Sequence, residues 1–186
     1  MKYLFLLLIL LIIGCDSQQV KSIVEEVQSA GQSKREPTLF QTRDGAATLL
    51  FPAGWYENRK EHPYELQCVS KTENMNTGVF VYHMEDLAAD FTPEKLLQSQ
   101  VDDLMAKRNN PKIIESEKTV QEGTKTITRV VYSGEKGVST NYYAFSMVQF
   151  KAPDAPILLV IQVAIPSQWK QNEPILSRIV KSAKLI

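Results

Sequence analysis

Cysteine and histidine are both scarce in this chain, with two residues of each. Two cysteines cannot build the disulfide framework on which small secreted domains rely. Zinc takes three or four ligands, and no His-x-x-x-His or Cys-x-x-Cys spacing is present to supply them. Neither sign of charge is in excess, since 21 Lys and Arg face 21 Asp and Glu. Balanced charge without a basic stripe excludes the long-range field used to recognise nucleic acid. There is no Gly-x-Ser-x-Gly elbow, and Gly134-Glu-Lys-Gly137 lacks the length and the Ser or Thr of a phosphate loop. Carboxylates pair at Glu85-Asp86 and at Asp102-Asp103, the latter on the solvent face of a predicted helix. His62 precedes a proline in a loop, and His83 shares a strand face with Glu85. Both read as ordinary surface or packed histidines. This inventory predicts no catalytic residue, no cofactor and no metal site.

What is present begins at the N-terminus. Lys2 is followed by an unbroken apolar run over residues 3–13, then Gly14, Cys15 and Asp16. The run falls short of the roughly 20 apolar residues a membrane-spanning helix needs. It has the length of a secretory h-region, with the small Gly14 where a signal peptidase would cut. Ile12-Ile13-Gly14-Cys15 resembles the bacterial lipobox, whose Cys thiol is acylated and becomes the new N-terminus. The expectation is a lipoprotein signal peptide over residues 1–14 and a lipid anchor on Cys15. Two or more acyl chains hold a protein durably where one would not. Asp16 resembles the residue that retains enterobacterial lipoproteins in the inner membrane, which favours that membrane over the outer one.

Residues 15–36 read as a lipidated tether. Val20, Ile23, Val24 and Val27 mark a short helical stripe between polar, breaker-rich ends. Residues 37–186 then suffice for one domain with its own core. Strands are predicted at 39–42 and 46–51 around the turn pair Asp44-Gly45, then at 64–71 and 79–85, the last covered on both faces. Asn74-Met-Asn-Thr-Gly78 reads as the turn between those last two. A helix is predicted over 93–108, capped by Thr92, with Leu97, Val101 and Met105 inward and Asn109-Asn110-Pro111 ending it. Strands follow at 113–120, 126–133, 138–151 and 157–165, with turns at Gly123 and Gly137. A final helix near 173–182 has Pro174 in its first turn and Ile175, Leu176, Ile179 and Val180 inward. Hairpin strands with two separated helices predict an α+β fold, an antiparallel sheet with helices on its faces.

Among single residues, Cys68 alternates with Tyr64 and Leu66 onto one strand face, with no basic neighbour to activate it. It reads as a buried structural residue. Trp55, after Pro52-Ala53-Gly54, is expected to pack on the sheet. Trp169 is flanked by polar residues on both sides and is a possible contact surface, weighed against a lid over its own core.

Leu50-Phe51-Pro52-Ala53-Gly54-Trp55 resembles the aromatic-Pro-x-Gly-Trp signature of PsbP-like domains. Thr92-Pro93-Glu94, the Gly123 turn, Tyr142-Tyr143 and the end of the terminal helix fit the same pattern. With the lipobox in front, the chain most resembles the bacterial DcrB-like envelope lipoproteins. The resemblance implies a sheet of about seven antiparallel strands sandwiched by helices. It implies little chemistry, since the relatives include photosystem accessory proteins, a binder of the GTPase Ran and envelope lipoproteins. The expected function is a non-enzymatic, lipid-anchored accessory or assembly protein facing the periplasm. It would touch the membrane through the Cys15 lipid and act on an envelope protein by contact. The alternative is a module that binds a small apolar ligand or lipid between sheet and helix.

Overall fold

A computed structural model describes residues 36–71, 74–88 and 90–186. The signal-peptide residues, Cys15, Asp16 and the tether stripe lie outside the described residues. Pro37–Ile186 forms one compact unit. Its main sheet is antiparallel and seven-stranded, in the order β3 (Trp55–Glu57), β4 (Leu66–Ser70), β5 (Asn76–Tyr82), β9 (Ile157–Ala164), β8 (Ser139–Phe150), β7 (Lys125–Lys136) and β6 (Asn109–Glu122). A three-stranded sheet joins β1 (Thr38–Gln41), β2 (Ala47–Phe51) and β10 (Lys184–Leu185). Helix α1 (Pro93–Met105) covers one face of the main sheet. Helix α2 (Pro166–Lys181) and the small sheet cover the other. The expected α+β fold, an antiparallel sheet flanked by two helices, is what the domain adopts.

The two cores follow from the pleat, which sends successive side chains to opposite faces. In β8, Ala144 and Val148 face α2 while Tyr143, Phe145 and Met147 face α1. In β9, Leu158 and Val160 face α2 while Ile157, Leu159 and Ile161 face α1. β9 is therefore apolar except at Gln162, and β8 is apolar or aromatic from Tyr142 to Val148 except at Ser146, as strands covered on two sides must be.

Helix α1 starts where its residues dictate. The Thr92 hydroxyl accepts from the Lys95 amide at 3.3 Å, and Pro93 occupies the first turn. Leu97, Val101 and Met105 are buried, at roughly 2 kcal/mol each. The helix ends at Met105 and not at 108, because Asn109 already pairs with Glu135. Arg108 instead donates from Nε to the Tyr143 hydroxyl at 2.7 Å.

Helix α2 corrects its expected start near 173. It begins at Pro166, and Pro174 lies inside it. An interior proline removes one helical hydrogen bond. Pro174 and Lys170, whose carbonyl loses its donor, are both exposed, so water can take the missing place. The expected turn at 74–78 is also corrected. Asn76 already pairs with Val163 in β5, and Gly78 lies under the Tyr64 ring, where a Cβ would come within 2.5 Å of ring carbons. The strand expected to reach Glu85 stops at Tyr82, and Met84–Asp86 forms a 3₁₀ turn.

Candidate functional site

Where β6 and β7 pass beneath α2, they leave a half-open cleft of about 430 Å³. That size lies within the range of small-ligand sites. Val120, Ile127 and Val180 give it apolar wall, and Arg129 and Ser146 also line it. Arg129 on β7 and Ser146 on β8 are direct cross-strand partners, so their side chains leave the sheet side by side toward α2. Arg129 Nη1 donates to Glu173 Oε1 of α2 at 2.8 Å. Its Nη2 stands 3.9 Å from Glu115 Oε2 of β6, beyond hydrogen-bond reach. Among the described residues, Arg129 Nε and Nη2 and Ser146 Oγ are buried without a hydrogen-bond partner.

Trp169 roofs this arginine. The Arg129 guanidinium carbon lies 5.3 Å from the centre of the Trp169 ring, and Tyr142 meets the ring edge-on at 6.1 Å. Trp169 is only 3% exposed, which corrects its reading as a contact surface. Its neighbours in sequence are polar because adjacent helix positions point about 100° apart, so Lys170 reaches solvent while Trp169 faces the sheet.

The other singled-out residues do not converge. Cys68 is fully buried, and burial, followed by the Glu57 charge, pushes its thiol up to about 12. Trp55 packs against Phe51, with ring centres 5.3 Å apart. His62 lies within 2.6 Å of Arg43 Nη2 through Nδ1 and 2.8 Å of the Asn58 carbonyl through Nε2. His83 Nε2 meets Asp44 Oδ2 at 3.0 Å. Burial raises the Asp44 carboxyl, but hydrogen bonds from Thr42, the Ala46 amide and His83, with the His83 charge, outweigh it and hold the group below its usual value. Among the described residues, no three His, Cys, Asp or Glu side chains are grouped as a metal would need, and no helix is long and apolar enough to cross a membrane.

Sequence reasoning passed over Arg129 and Ser146. The one available signal was a cation alternating with inward apolar residues, Ile127 and Val131, on a strand face that should be buried.

A second surface feature is the outer edge of β6. This strand runs for 14 residues with three register shifts against β7. It exposes Ile113 (59%), Ile114 (41%) and Val120 (47%) among charged residues.

No protein-family model matches the chain, and no curated protein is significantly similar to it in sequence. Solved structures share its fold. The cyanobacterial PsbP protein (CyanoP) of Synechocystis sp. PCC 6803 superposes with a TM-score of 0.60 at 11% identity, over 81% of this chain and 93% of that one. The Ran-binding protein Mog1p of Saccharomyces cerevisiae gives 0.55 at 15% identity, over 80% and 95%. LpqN of Mycobacterium tuberculosis, involved in cell envelope biogenesis, gives 0.57 at 12% identity, over 80% and 90%. At these identities the likeness concerns architecture alone, and the architecture of this chain is the one that PsbP and Mog1 share.

Proposed function

We propose that this chain is a non-enzymatic, lipid-anchored accessory protein of the bacterial envelope, related to the DcrB-like lipoproteins and acting through protein contacts in the periplasm. The observation that carries the reading is Ile12-Ile13-Gly14-Cys15 after an h-region and directly before a polar segment. Residues 1–14 are removed, Cys15 carries the lipid, Asp16 keeps the protein at the inner membrane, and residues 15–36 tether the domain. The outer edge of β6 is the contact surface this reading uses. Among the described residues β6 is an edge strand paired only with β7, and it exposes Ile113, Ile114 and Val120, the features through which an extended partner segment adds to a sheet.

Metabolic labelling with a fatty-acid probe tests the anchor. Wild type should take up label, and Cys15→Ser should lose it and accumulate as unprocessed precursor while its domain still folds. Label retained in Cys15→Ser would overturn the reading.

A further inference from the structure

The cleft beneath α2 holds donors that the described residues do not use. Nε and Nη2 form one edge of the Arg129 guanidinium, the edge that grips a carboxylate through two parallel hydrogen bonds. Both atoms are buried and unpartnered among the described residues, and so is the hydroxyl oxygen of the directly opposite Ser146, a residue with no exposed surface. Buried donors are paired in the great majority of native structures, and an unpaired charged one is costly to keep. Two opposed residues thus present three donors and no satisfied acceptor on the floor of one cleft.

We infer that this cleft is a binding site for a small aliphatic carboxylate, its head on the Arg129 edge and Ser146 and its tail against Val120, Ile127 and Val180. An ammonium group brings no acceptor and would leave Arg129 Nε and Nη2 unpaired. A dianionic phosphate is disfavoured because the lining is balanced, with Glu115, Glu122 and Glu173 against Lys118, Arg129 and Lys181, and Lys181 is already paired with Glu122 at 3.1 Å. A monoanion with a flat head matches the geometry of the guanidinium edge. Glu173 holds the opposite corner of Arg129 through Nη1 and fixes its plane. Glu115, at 3.9 Å from Nη2, covers the edge without bonding it. Its side chain is 38% exposed, so it can swing into water as the ligand enters. The Trp169 ring against the guanidinium gives the site a built-in reporter. This site does not depend on the lipid anchor.

The test is titration of the full chain, in a neutral maltoside detergent, with hexanoate and with hexanamide, followed by calorimetry and by tryptophan fluorescence, in which Trp55, away from the cleft, supplies a constant background. Wild type should bind hexanoate saturably and hexanamide about tenfold more weakly or worse, since the charge-assisted bonds are lost. Arg129→Lys keeps the charge but removes the two-donor edge, and should weaken hexanoate binding by about tenfold or more. Ser146→Ala removes an unpaired hydroxyl, so it should fold normally by circular dichroism and still lose about threefold in affinity. If Arg129→Lys fails to fold, Ser146→Ala alone decides. Absence of saturable hexanoate binding, equal binding of hexanamide, or wild-type affinity in Ser146→Ala would overturn the inference.

Discussion

Cys68 shows how far a single residue's chemistry is set by its address. It occupies a cross-strand row with Thr77 of β5 and Gln162 of β9, on the face covered by α2. A thiol held near 12 stays protonated at neutral pH and is therefore a poor nucleophile. In Cys15→Ser, where Cys68 is the remaining thiol, iodoacetamide at pH 8 should leave the folded protein unmodified and alkylate it rapidly in urea. Reaction of the folded protein at the rate of a free thiol would contradict this burial. The strand alternation made the residue's interior position legible. Trp169 was not legible in the same way, because its neighbours in sequence reveal nothing about which turn of a helix faces the sheet.

At the scale of elements, α1 is the segment whose energetics follow most directly from its residues. Its apolar positions step by four, its cap is a threonine, and its buried stripe meets Phe145, Met147 and Leu159. Val101→Asp should destabilise the domain by about 3 kcal/mol or more, because a charge would be buried without a partner. Asp102→Ala removes an exposed carboxylate that only accepts from Gln98 at 2.7 Å, and should change stability by less than about 0.5 kcal/mol. Equal effects in urea melts would mean that the helix packs through a different face. Helix α2 taught the opposite lesson. Its Pro174 resembles a first-turn signal, yet the helix begins at Pro166, because packing Trp169 and Leu176 on the sheet outweighs one lost hydrogen bond on the exposed side.

At the scale of the whole molecule, the chain's end is locked to its middle. Lys125 of β7 donates through Nζ to the carbonyls of Lys181 and Ala183 at the close of α2, the latter at 2.6 Å. Leu185 of β10 then pairs with Ala47 of β2, which ties the small sheet to the same corner. Lys125→Met should cost about 2 kcal/mol, since two charge-assisted bonds to helix-terminal carbonyls disappear. Burial lowers the Lys125 ammonium below its ordinary value, with Glu122 opposing and Lys184 adding to the shift. Between the lowered folded value and the ordinary one, the unfolded chain binds more protons than the folded one. Wild-type stability relative to Lys125→Met should therefore rise as pH climbs toward the usual lysine range. Urea melts across that range check both the size and the sign.

The residues alone determined the α+β class, the succession of strands, the capped start and inward face of α1, and the buried state of Cys68. Each of these depends on periodicity or on a contact a few positions away, and periodicity is written locally. Tertiary structure alone decided the strand order that sets β9 between β5 and β8, the capture of β10 by β2, and the early start of α2. It also decided the meeting of Arg129, Ser146, Glu173 and Trp169 at one cleft. Those four residues come from β7, β8 and α2, and none lies within a helical or strand period of all the others. Their convergence arises from antiparallel pairing over long sequence separations and from the docking of α2 on the sheet. The physical reason is the same throughout: packing two apolar layers against one sheet fixes which distant side chains become neighbours, and no local pattern encodes that choice.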